Sequence, residues 1–138
     1  NESVVVWCTY NQECRAVAEH IRNQGITAEV LTGEVKDRGT LLDQFQNGKI
    51  RVLIVQEKLG QFGIPLDRAS VAIYYSNAYS LEQREQSADR FVRVGDTRDK
   101  LVIDLISDNT LDKPILQLLG EKRINAKALF RKVGANLP

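Results

Sequence analysis

Two arginines one helical turn apart, Arg90 and Arg93, carry the plainest chemical signal in the sequence, and Gln86 precedes them in the same segment. The segment opens at Ser80 with Gln83 three residues on, the signature of a capping box. At about 100° per residue from Gln86, Arg90 falls at about 40° and Arg93 at about −20°, whereas Leu81, Ala88 and Val92 gather at about 200 to 240°. The spacing predicts a helix with Gln86, Arg90 and Arg93 on one face and an apolar face opposite. Two guanidinium groups so placed can converge on a phosphate and stabilise the negative charge spread over phosphoryl oxygens in transfer. A solvated face with salt bridges to Glu82, Glu85 or Asp89 would use the same residues.

The stretch Gln56-Glu57-Lys58-Leu59-Gly60-Gln61-Phe62-Gly63-Ile64-Pro65-Leu66 is the second candidate. Glycines after a strand let the backbone approach a ligand and turn N–H groups towards phosphate oxygens, although a plain loop needs them as well. No Gly-x-x-x-x-Gly-Lys-Ser/Thr stretch occurs, so this loop is not by itself a triphosphate cradle.

The elements that must position these groups are written in the apolar pattern. Runs rich in β-branched residues at Val4–Cys8, Ala28–Leu31, Val52–Val55, Val71–Tyr75 and Leu101–Ile106 read as buried strands. Between them, Cys14, Val17, Ala18 and Ile21 form one helical stripe and Leu41, Leu42 and Phe45 another, with Gly25 and Gly48 placed to stop those helices. Alternation of strand and helix with short connections predicts a doubly wound α/β domain, its sheet mostly parallel and flanked by helices on both faces. Ligands of such sheets sit beyond the carboxyl ends of the strands, here the loops after Cys8, Leu31, Val55 and Tyr75. The domain is expected to occupy residues 1–110. Leu111, Ile115, Leu118 and Leu119, then Ala126, Leu129, Phe130 and Val133, predict a helical extension over 111–138 that packs on it or bridges to a neighbour.

Composition narrows the classes. The 138 residues balance 19 Lys and Arg against 18 Asp and Glu, so no overall basic field argues for a polyanionic partner. Two cysteines fit neither a disulfide framework nor a zinc site, which points to an intracellular setting and to no metal. Nothing approaches a membrane span or a signal peptide. With no methionine, and Asn1-Glu2-Ser3 running straight into a strand, the chain is expected to be part of something longer.

Taken in order, these segments resemble the C-terminal RecA-like lobe of superfamily-two helicases, most closely the Snf-type translocases, over nearly the whole chain. Gln86-Ser87-Ala88-Asp89-Arg90-Phe91-Val92-Arg93-Val94-Gly95 is similar to motif VI of that family, Gln-Ala-x-Asp-Arg-x-x-Arg-Ile-Gly-Gln, with Ser87 in place of alanine and Asp96 in place of the closing Gln. Lys58 to Leu66 is similar to motif V, Lys-Ala-Gly-Gly-x-Gly-Leu-Asn-Leu, with Gln61 and Pro65 as departures. Thr32-Gly33, Arg38, Phe45 with Gly48, Thr110-Leu111-Asp112 and Lys122 fall where the family places further elements.

The resemblance implies that Arg90 and Arg93 are arginine fingers for an ATP, with its Mg2+, held on a first lobe of the same polypeptide, that Gln86 assists, and that Asp89 orients an arginine. It implies that Gly60 and Gly63 border the nucleotide, that Lys58 couples nucleotide state to a nucleic-acid strand, and that Thr32 and Gly33 meet the backbone of that strand, DNA rather than RNA. The lobe alone would be inactive. Its place would be cytoplasmic in a prokaryote or phage and nuclear in a eukaryote.

A binding module that keeps the arginines without catalysis is the alternative. A cysteine phosphatase centred on Cys8 fails, because the position six residues on is Cys14 and the arginine comes one later. Cys8 reads as a buried thiol, His20 as an exposed helix residue and Trp7 as core. Tyr74, Tyr75 and Tyr79 could stack on bases or pack on the sheet. Asp104, the lone charge in its strand, reads as an edge residue or a satisfied hydrogen-bond partner.

Overall fold

The β-branched runs form five parallel strands in a computed structural model that describes residues 2–76, 80–92 and 98–105. Strands β1 (Val4–Cys8), β2 (Ala28–Leu31), β3 (Val52–Gln56), β4 (Val71–Tyr74) and β5 (Leu101–Asp104) lie in the order β2-β3-β1-β4-β5. Register is in step across the centre: Val4 pairs with Val52 and Val71, and Trp7 with Val55 and Tyr74. β3 is buried at every position, as a parallel strand covered on both faces must be. The observed ends differ slightly from the apolar runs, since β3 reaches Gln56 and β4 stops at Tyr74, leaving Tyr75 exposed.

Alternation along the strands divides the core in two. Val6, Cys8, Val52 and Ile54 face α1 (Asn11–Asn23), whose Cys14 and Ala18 are fully buried against them. Val5, Trp7, Leu53, Val55 and Tyr74 face the other way, towards α2 (Arg38–Gln46) and α3 (Leu81–Phe91), which contribute Leu42, Phe45 and Phe91. Past α1 and α2 the chain turns through Gly25 and Gly48 at φ 79° and 80°, a region that costs glycine nothing sterically. Asp37 caps α2 by accepting from the Thr40 N–H, and Ser80 caps α3 by accepting from the Gln83 N–H, half of the expected capping box.

Between β3 and β4, Glu57–Phe62 winds into a 3-10 helix closed by Gly63 at φ 70° and is not a plain loop. Leu59 on one side and Ile64 and Leu66 on the other are buried in the core and pin the segment down. Among the described residues no helix is long and apolar enough to cross a membrane. The helical extension expected over 111–138, and with it Tyr79, Arg93, Gly95 and Asp96, lies outside the described residues.

Candidate functional site

Helix α3 forms where its cap and spacing place it, but the face it packs inward is not the apolar one. Ser87 and Phe91 are its buried residues, whereas Ala88 is only half-buried and Val92 is exposed. Ala88 and Val92 instead line a pocket with Val102 of β5. Polar complementarity with the sheet accounts for the rotation. The Ser87 hydroxyl donates to the Arg84 carbonyl at 2.8 Å and lies 2.7 Å from the Tyr74 hydroxyl, so with its one hydrogen used it accepts from Tyr74.

Arg84 completes this arrangement. Its guanidinium carbon lies 3.4 Å from the centre of the Tyr74 ring, and its two Nη atoms donate to the two carboxylate oxygens of Asp104 at 2.8 and 3.0 Å. Tyr74 in turn stacks with Trp7, centroids 6.2 Å apart. Burial pushes the Tyr74 phenol up to about 12 against the opposing pull of Arg84 and of the Ser87 hydrogen bond. Burial also disfavours the charge on Arg84, but the bond to Asp104, followed by the fields of its neighbours, more than offsets it and holds the guanidinium above its ordinary range.

Arg90 lies on the far side of α3, half-buried against the 3-10 helix. Its Nε donates to the Gly60 carbonyl at 3.1 Å, and a Cβ on Gly63 would stand 3.8 Å from its Nη1. The guanidinium thus runs along the 3-10 helix. Gly60 permits the approach, because a Cβ there would come within 2.9 Å of the Ser87 nitrogen and 3.0 Å of its Cα. Among the described residues Arg90 forms no ion pair and its Nη atoms find no acceptor, so the salt-bridged alternative is not how this arginine is held. Gln86 is half-buried, its Nε2 donating to Glu82 at 3.4 Å, and Asp89 is exposed and bonds no arginine among the described residues.

The loops at the carboxyl ends of β2 and β3 form a neighbouring edge. Thr32 is buried at 4% exposure and its hydroxyl accepts from the Glu34 N–H at 3.3 Å, so the loop turns Gly33 rather than that hydroxyl outward. Lys58 is exposed. Residue spacing missed Phe62, which is 59% exposed at the end of the 3-10 helix with the Arg38 guanidinium 5.8 Å from its ring centre. Its signal was an aromatic residue just before a glycine in the left-handed region.

Cys8 and Cys14 are both buried free thiols, and hydrogen bonding to Cys14, then burial, pushes Cys8 upward and away from a nucleophilic thiolate. His20 is exposed, Trp7 is core, and no three His, Cys, Asp or Glu gather among the described residues to hold a metal. Asp104 is both an edge-strand residue and a satisfied partner.

Known proteins share this fold. The helicase conserved C-terminal domain model matches residues 1–95. The ATP-dependent helicase fft2 of Schizosaccharomyces pombe is 38% identical over 90 residues, which are 64% of this chain and 7% of fft2. The ATP-dependent helicase FUN30 of Saccharomyces cerevisiae is 34% identical over 90 residues, 64% of this chain and 8% of its own length. The helicase SWR1 of the same yeast is 31% identical over 91 residues, 65% of this chain and 6% of SWR1. The chain therefore spans a small part of each of these relatives. Among solved structures, the C-terminal part of the Fun30 ATPase domain superposes with a TM-score of 0.79 at 28% identity, over 86% of this chain and 39% of that one. The C-terminal domain of the DEAD-box protein Dbp5 gives 0.74 at 18% identity, over 88% and 69%, a likeness of fold alone.

Proposed function

The chain belongs to the helicase conserved C-terminal domain family as a RecA-like lobe of the Snf type, and from that premise we propose that it is the second motor lobe of a nucleic-acid-dependent ATPase. In this reading Arg90 and Arg93 reach the γ-phosphate of an ATP held on a first lobe, with Gln86 assisting. The observation that carries it is Arg90, tied at Nε to the Gly60 carbonyl with its Nη donors lacking an acceptor among the described residues. A guanidinium held at one atom and open at two is ready for a phosphoryl oxygen. The triphosphate and its Mg2+ would be held by the first lobe, since no cluster of metal-ligating side chains occurs among the described residues and the sequence has no phosphate-cradle motif.

The strand would run along the edge made by Gly33, Arg38, Lys58 and the backbone at Thr32. Such groups read phosphates and not bases, and DNA is the strand we propose. Closure of the lobes on ATP and their release on hydrolysis would then move this edge along the strand.

In the intact motor, Arg90→Ala and Arg93→Ala should each slow turnover by at least about 10³-fold with far smaller change in ATP binding, because the contact belongs to the transition state. Near-normal turnover in both variants contradicts the assignment. The lobe purified alone should not hydrolyse ATP, and robust nucleic-acid-stimulated hydrolysis by it would contradict the division of labour.

A further inference from the structure

We propose that Arg84 and Asp104 are positioning residues for Arg90, their ion pair setting the rotation of α3 and so the aim of the arginine finger. The proposal rests on the motor reading above. Arg84 touches no nucleotide in this scheme and acts only through the helix it shares with Arg90.

Three observations support it. First, α3 is gripped on two sides: Ser87 and Arg90 meet the 3-10 helix at Gly60, while Arg84 and the Ser87 hydroxyl meet β4 and β5. With the helix trapped between these grips, the sheet-side contacts decide its rotation. A guanidinium about 6 Å from the helix axis moves by roughly 2 Å for a turn of about 20°. A misplacement of about 1 Å at a reacting centre can cost 10²-fold in rate.

Second, the contact is directional in a way apolar packing is not. Both Nη atoms of Arg84 meet both oxygens of Asp104, while the same guanidinium lies over the Tyr74 ring. A planar fork fixed at two oxygens and one ring face has a single orientation, and a lysine ammonium cannot reproduce it.

Third, the pair is poorly explained as a source of stability. Its side chains are 12% and 29% exposed, and ion pairs withdrawn from water to this degree commonly give little net gain over an apolar pair of similar shape. Phe91, fully buried on the same side of α3, already supplies apolar anchorage. Orientation is what the ion pair adds.

The test is steady-state ATP hydrolysis by the intact motor carrying Arg84→Lys or Asp104→Asn. Each should lower kcat at least about ten-fold, with KM for ATP and affinity for an oligonucleotide held within about two-fold. Arg84→Lys combined with Arg90→Ala should be no slower than Arg90→Ala alone, since both losses act through one group. Tyr74→Phe, which removes only the hydroxyl received by Ser87, should show a smaller fall in kcat of the same kind, and it keeps the test open if Arg84→Lys does not fold. Wild-type kcat in both Asp104→Asn and Tyr74→Phe overturns the proposal, as does a double variant whose losses multiply. If Arg90→Ala itself turns over normally, the motor reading fails and this proposal falls with it. If Arg90→Ala is slow and the Arg84 and Asp104 variants are normal, only the positioning role is lost.

Discussion

Helix α1 and helix α3 rest on opposite faces of one sheet and are attached by different means. Cys14 and Ala18 seat the middle of α1 by shape, with Val17 and Ile21 partly buried beside them, and polar bonds act near its ends, where Arg22 donates to the Ala28 carbonyl and to Glu29 and Glu13 accepts from Ser76. α3 is seated by an arginine clasped to an aspartate, by a serine bonded to a tyrosine, and by a glycine that lets another backbone touch its own. Apolar contact is strong and non-directional, so it holds a helix without fixing its last few degrees of rotation. Bidentate and backbone contacts are weaker in net free energy but geometrically strict. In the proposed motor, the helix that would aim a side chain is the one built from the second kind.

This contrast predicts different consequences of crowding the two helices. Gly60→Ala places a methyl group 2.9 Å from the Ser87 backbone and must push α3 away from the 3-10 helix. We expect turnover in the intact motor to fall by about 10²-fold as Arg90 is displaced. Folding stability should fall as well, by about 1–3 kcal/mol. Ala18→Leu crowds α1 against the sheet and should cost a similar stability of about 1–3 kcal/mol. Per folded molecule, however, its kcat should stay within about two-fold of wild type. Denaturant melts and turnover corrected for the folded fraction would check both. Equal kinetic damage from the two substitutions would erase the distinction drawn between the helices.

The same contrast explains which parts of the molecule could be read in the residues. All five strands are visible as β-branched runs, and the α1 stripe of Cys14, Val17, Ala18 and Ile21 packs as its spacing implies, because burial of apolar groups leaves a periodic trace. α3 misled for the complementary reason. Its inward side carries Arg84, Ser87 and Phe91, two of them polar, so hydrophobic periodicity pointed to Leu81, Ala88 and Val92 instead. The partners that make Arg84 an inward residue lie at Tyr74 and Asp104, in different strands, and no local pattern connects them. Thr32 has its hydroxyl accepting from the Glu34 N–H, a turn contact that leaves no trace in the apolar pattern. The 3-10 helix at Glu57–Phe62 is too short to show a period of its own. Gly60, suited on sequence to close approach by a ligand, is used for close approach by α3. Arg90 and Gln86 stand out in the sequence because motif spacing, and not burial, marks them.

The central claim, that Arg90 serves the transition state, is met most directly by the binding of ADP with aluminium fluoride, a mimic of the transferring phosphoryl group, to the intact motor. The wild-type protein should bind the mimic far more tightly than ADP alone, and Arg90→Ala should lose at least about a hundred-fold of that affinity while binding ADP and ATP within about two-fold of wild type. Equal affinity of wild type and Arg90→Ala for the mimic would contradict the account.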